Sequence, residues 1–202
     1  MMLGLTGQTG AGKSTVAALL REAGFPVIDA DRVTREVQAA GSPVVTALAE
    51  AFGGDILLPD GSLDRRKLAF RAFSDPDRLA KLNAITHPAI CQAIEEMIAA
   101  LRAAGHPSIV LDAPMLFESG LAARCDRVIA VIADEAVRRA RIRTRDHLSE
   151  AEASARIGAQ RSKGFFMVHA DYLLENTGDL EALRWEAGEL IALLKEAEGG
   201  RR

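Results

Sequence analysis

Five short, near-continuous apolar runs punctuate the chain: Met2–Thr6, Pro26–Asp29, Ser108–Asp112, Arg127–Ile132 and Asp171–Glu175. None alternates apolar with polar residues, as a strand with one wet face would. Segments of helical periodicity separate them. That pattern predicts an α/β fold with a five-stranded parallel sheet covered by helices on both faces. Ligands of such sheets bind beyond the carboxyl ends of the strands. The segments to inspect are therefore 7–14, Asp29 to Asp31, Asp112 to Glu118, Asp134 to Arg145, and Asn176 to Gly178.

Two intervals break the simple alternation. Residues 32–107 are too long for one crossover and read as a helical insertion. Breaks are expected at Gly41-Ser42-Pro43, Phe52-Gly53-Gly54-Asp55, Pro59-Asp60-Gly61-Ser62 and His87-Pro88. Residues 138–163 carry seven arginines and one lysine against three acids. Ser149-Glu150-Ala151-Glu152 fits a capping box between two basic helices there, an arrangement that suits a lid. The core is then 1–31, 108–137 and 164–202. A last helix begins near Asp179, and Leu180, Leu183, Ala187, Leu190, Ile191 and Leu194 form one apolar stripe on it.

Composition narrows the class. The chain has 202 residues, 49% of them hydrophobic and 26% charged, with net charge −3. That balance suits a globular domain and carries no polyanion-binding signature, so no nucleic-acid partner is expected. Cys91 and Cys125 form no CxxC pair and read as reduced thiols. No run approaches the ~20 apolar residues of a membrane helix. The first strand starts at once, without the basic region or cleavage site of a leader, so a cytoplasmic location is expected. The tail Gly199-Gly200-Arg201-Arg202 is expected to fray.

The chemistry starts at residues 7–14, Gly-Gln-Thr-Gly-Ala-Gly-Lys-Ser, which fit G-x-x-x-x-G-K-[ST]. An apolar strand precedes them and a helix follows, the order a phosphate loop needs. Glycines at 7, 10 and 12 let successive N–H groups of Gly10, Ala11, Gly12, Lys13, Ser14 and Thr15 turn inward as an anion nest at a helix N-terminus. Lys13 would reach outer phosphates and the Ser14 hydroxyl would ligate Mg²⁺. ATP and Mg²⁺ are the implied ligands. A dinucleotide fingerprint starting at Gly10 fails, because position 15 is Thr and no third glycine follows.

Other candidates each have a plainer reading. Asp31 would orient and deprotonate an attacking hydroxyl, or cap a helix starting at Arg32. Asp112 ends an apolar run where phosphate-loop enzymes place a carboxylate for Mg²⁺. Arg138, Arg141 and Arg145 share a helical face by their spacing, as cations over transferring phosphate or as a solvated face. Arg139 and Arg143 are assigned to solvent. His87 before Pro88 should have extended backbone, and its imidazole is a phosphate donor or a structural group.

With these residues in hand, the chain resembles the dephospho-coenzyme A kinase family over nearly its whole length. The resemblance rests on Gly4-Leu5-Thr6-Gly7 into the loop, Asp29-Ala30-Asp31 with Arg35-Glu36, Gly61-Ser62-Leu63-Asp64-Arg65, His87-Pro88 and Asp112-Ala113-Pro114-Met115-Leu116-Phe117-Glu118. Arg141, Arg145-Asp146, Arg156, Gln160, Ala170-Asp171 and Asn176 extend it. It implies transfer of the ATP γ-phosphate to the ribose 3′-hydroxyl of dephospho-coenzyme A. It further implies Lys13, Asp31 as base and Arg141 at the phosphates as catalytic groups. Arg145 and Asn176 fall on the nucleotide side, and Arg35, Arg65, His87 and Phe117 on the acceptor side. Departures are Gln8-Thr9 in the loop, Met115 for leucine, and Arg138 where the family often has Gln. The alternatives are another small-molecule kinase, of nucleotide or shikimate type, or a nucleotide-dependent switch. No N-K-x-D motif occurs, and Ala113 rather than Glu follows Asp112, which weakens the switch. Oligomeric state is not legible, and a monomer is the default.

Overall fold

The computed structural model describes residues 1–200, and the Arg201-Arg202 end of the tail lies outside the described residues. Five strands form one sheet: β1 (Met2–Gly7), β2 (Val27–Asp29), β3 (Ile109–Asp112), β4 (Arg127–Ile132) and β5 (Tyr172–Glu175), in the order β2-β3-β1-β4-β5. β1 pairs in parallel with β3 and β4, and β4 with β5. All of β1 is buried, as a central strand covered on both faces requires. The register puts Leu5 opposite Asp112 and Gly7 opposite Val131, so the loop after β1, Asp112 and the end of β4 share one edge.

The helices are α1 (Lys13–Glu22), α2 (Ala30–Val37), α3 (Pro43–Phe52), α4 (Arg65–Ala72), α5 (Pro76–Ala103), α6 (Glu135–Asp146), α7 (Glu150–Gly158), α8 (Lys163–His169) and α9 (Leu180–Gly199). Chain contacts divide into two compact units. The first joins Met1–Ile28 to the chain from Leu101 onward. Its core packs Leu3, Leu5 and Val131 of the sheet against Val16 and Leu20 of α1 and Leu183, Ala187, Leu190 and Leu194 of α9. α6 and α7 share a smaller cluster of Ile142, Ala153 and Ile157. The second unit, Asp29–Ala100, has its own core of Val45, Leu48, Phe52, Ile56, Leu63, Leu68 and Ala72. No helix among the described residues is long and apolar enough to cross a membrane.

Local signals act where the sequence put them. Ser42 caps α3 with Pro43 at its first position, and Gly53 ends it at φ 99°. Ser149 and Glu152 close the capping box of α7. Asp179 caps α9, which runs through Gly199, the first residue of the expected tail. Two further expectations are corrected. Asp29 rather than Asp31 caps α2, its Oδ1 accepting from the Arg32 amide at 2.9 Å. His87 and Pro88 lie inside the 28-residue α5, not at a break. The preproline bias is weak against a long helix anchored by buried Thr86 and Ile94, and Pro88 removes only one ladder bond. Leu180, placed in the apolar stripe of α9, is 50% exposed at the first position of the helix and is not part of the core cluster.

Candidate active site

The glycine loop is held open from several sides. Gly10 and Gly12 have φ of 77° and 98°, left-handed values that favour glycine. A Cβ on Gly10 would meet the Arg138 carbonyl oxygen at 2.8 Å, and one on Gly12 would collide with Asn176 Nδ2. Ala11 between them is fully buried, and its N–H donates to the Gln8 carbonyl at 3.1 Å. α1 starts directly after, without any side-chain cap or acid in its first turn, so its positive end is left for an anion.

Lys13 is ion-paired with Asp112 across the β1–β3 register, with side chains only 19% and 10% exposed. A desolvated ammonium here needs an anion, and Asp112 supplies it at the edge where phosphate would lie. Thr6 Oγ1 donates to the Pro114 carbonyl at 3.2 Å and fixes the segment after Asp112. Ser14 is exposed and Thr15 half-buried.

Asn176, just past β5, is buried, and its Nδ2 donates to the Ala11 carbonyl at 2.8 Å. Arg141 ties the two loops together. Its guanidinium donates to the carbonyls of Gly10 at 3.4 Å, Asn176 at 3.1 Å and Gly178 at 3.3 Å, and to Asn176 Oδ1 at 3.3 Å. Gly10, Ala11, Gly12, Lys13, Asp112, Arg141 and Asn176 are therefore one connected constellation. The three arginines of α6 do not share one environment: Arg138 is buried, Arg141 half-buried and Arg145 exposed. Arg145 pairs bidentately with Asp146 at 2.7 and 2.8 Å, and Arg156 reaches the same carboxylate at 2.6 Å. These partners, Arg145 foremost, hold the Asp146 carboxyl below its ordinary range. Arg139 and Arg143 form surface ion pairs with Glu150.

Phe117 packs in a ring cluster, edge-on to Phe165 at 5.0 Å and tilted to Phe166 at 6.1 Å. Arg161 lies 4.7 Å from the Phe165 ring centroid, and its Nε donates to Glu118 at 3.0 Å. In the second unit, Asp31 and Arg35 are exposed on α2, and Arg65 at the start of α4 donates to Gln38 Oε1 at 2.9 Å. His87 is exposed along α5.

Two contributors escaped the sequence reading. Gln8 is 4% exposed; its side chain donates to the Arg161 carbonyl and accepts from the Ala133 amide, both at 3.5 Å. Gln160 Oε1 accepts from the Thr9 amide at 2.9 Å. The signal for Gln8 was a long polar side chain in an otherwise small-residue loop. Gln160 carried none beyond the resemblance.

A sequence model of dephospho-CoA kinase matches residues 1–182. A dephospho-CoA kinase of Anaeromyxobacter dehalogenans is 45% identical over 99% of this chain and 95% of its own. Among solved structures, a Thermus thermophilus protein superposes with TM-score 0.83 at 37% identity, covering 97% of each chain. A Campylobacter jejuni dephospho-CoA kinase superposes with TM-score 0.73 over 100% of this chain and 98% of its own; at 24% identity it bears on the fold alone.

Proposed function

We infer the mechanism from one premise: the chain belongs to the dephospho-CoA kinase family and uses ATP to phosphorylate dephospho-CoA in coenzyme A synthesis. The proposal is that the γ-phosphate passes to the ribose 3′-hydroxyl through the constellation around the glycine loop. The observation that carries it is the largely buried Lys13–Asp112 pair beside a helix N-terminus that no side chain caps. Phosphoryl transfer asks for positioning and charge stabilisation more than covalent chemistry, and this edge offers both.

Each residue then has a part. The Ala11 and Thr15 amides already donate to the Gln8 and Gly12 carbonyls, and those of Gly10, Gly12, Lys13 and Ser14 bind the phosphates. Lys13, released from Asp112, follows the outer phosphates. Ser14 and Asp112 offer the hydroxyl and carboxylate oxygens that suit Mg²⁺, which would neutralise phosphate charge when bound. Asp31, beyond the end of β2 and not engaged as a cap, orients the acceptor hydroxyl and takes its proton. Asn176 and Arg141 shape the nucleotide side. The four contacts of Arg141 with loop oxygens favour bracing over direct contact with transferring phosphate. Arg145, exposed on α6, stands on the nucleotide side, and Arg35, Arg65, His87 and Phe117 are offered to the acceptor.

An ADP-release assay over a panel of acceptors tests the proposal. Dephospho-CoA should be turned over with Mg-ATP, the new phosphate mapping to the ribose 3′ position. Preference for shikimate or a nucleoside, with dephospho-CoA inert, would overturn it.

A further inference from the structure

We propose that Arg138 is a positioning residue of the phosphate loop, acting through Gln160, and that its uncompensated charge favours an anion in that loop. Both ends of the residue meet the loop. Its backbone lies behind Gly10, where an added Cβ would come within 2.8 Å of the Arg138 oxygen and 3.2 Å of its Cα. Its Nη1 donates to Gln160 Oε1 at 3.4 Å, the same oxygen that accepts from the Thr9 amide at 2.9 Å. Gln160 thus joins the guanidinium to the outer turn of the loop.

The electrostatics of Arg138 differ from those of its neighbours. Only 4% of the residue is exposed, and its Nε has no hydrogen-bond partner. Burial pushes its pKa down, and Glu135 opposes this only through space. Glu135 is itself ion-paired with Arg139. Lys13 has Asp112, Arg145 has Asp146, and Arg139 has Glu135 and Glu150. A buried cation without a bonded carboxylate is costly to the fold, so a neutral side chain of similar size at this position removes that cost. Its charge is better matched once a polyphosphate lies on the other side of the loop.

This inference rests on the loop being the ATP site. Calorimetric titration of ATP, nucleotide-free melting and steady-state kinetics on wild type, Arg138→Gln, Arg138→Lys and Gln160→Ala test it. Arg138→Gln should weaken ATP binding on the order of tenfold, the scale of one partly screened charge interaction. Its nucleotide-free Tm should be equal or higher, and KM for ATP should change more than kcat. Arg138→Lys should keep most of the affinity. Gln160→Ala keeps the charge, and should lose a smaller part of the affinity with Tm unchanged. Unaltered ATP affinity in Arg138→Gln, or a lower Tm in Arg138→Gln and Arg138→Lys alike, would overturn the inference. So would unaltered affinity in Gln160→Ala, for the positioning part. A wild type that fails to bind ATP would instead remove the reading beneath it.

Discussion

Asp29 and Asp31 sit two positions apart, yet their carboxylates are used differently. Asp29 caps α2 through the Arg32 amide, whereas Asp31 is exposed in the first turn and is not the cap. Asp29→Ala should therefore cost about 1 kcal/mol of stability, as lost caps do. Asp31→Asn should leave melting and ATP affinity near wild type while cutting turnover by roughly 10²–10⁴. Near-normal turnover in that variant would reduce Asp31 to a helix residue. Cys125 offers a pH test of its packing. Burial, aided by nearby Asp126, pushes its thiol up from 9.0 to about 11. The unfolded chain ionises this thiol first, so its contribution to stability is full below pH 9 and lost as pH rises through about 11. Iodoacetamide labelling of the native protein at pH 8.5 should be slow at Cys125 and quicken when urea is added; equally rapid labelling of the native protein would contradict the part-buried placement of the thiol.

Elements differ in how openly the sequence announces them. The central strands β1, β3 and β4 were legible because burial on both faces leaves unbroken apolar runs, while β5 keeps an apolar run although Leu173 is exposed; β4 begins and ends as its run does, and the others shift by a residue at an end. The capping box at Ser149 was legible for a local reason, since two side chains three apart satisfy two backbone donors. α8 was not. Its seven residues Lys163–His169 are too short for a helical period to show, and burial of Phe166 against Ala130 and Ile132 holds it. Pro88 misled for the opposite reason, a visible local signal overridden by a long helix. In the site, Lys13, Ser14 and Asp112 followed from the loop motif and strand ends. The bracing by Arg141 and Asn176 did not, because side chains 35 positions apart meet only through the order of β4 and β5. The capping box gives an element-scale test. Ser149→Ala should lower stability by about 1 kcal/mol through α7 alone, and hydrogen exchange should quicken in α7 more than in β1. Uniform quickening across the sheet would mean that α7 does not open by itself.

At the scale of the molecule, the proposed function puts the groups for the two substrates in different compact units. The groups proposed for ATP, from Gly10 to Thr15 with Arg141 and Asn176, all belong to the unit built on the sheet. Asp31, Arg35, Arg65 and His87 all belong to the helical unit with its separate core. Each unit can open locally with its own free energy, and a ligand protects only the opening that destroys its site. Hydrogen exchange with single ligands should therefore separate them. Mg-ATP alone should slow exchange in the glycine loop, the first turn of α1 and the segment 176–178, leaving α2 and α4 little changed. Dephospho-CoA alone should slow α2 and α4 in turn, with a smaller effect near Phe117, which lies in the sheet unit. Protection of α2 and α4 by Mg-ATP to the same degree as the loop would mean that the units do not open independently, and the assignment of acceptor groups to the helical unit would have to be redrawn.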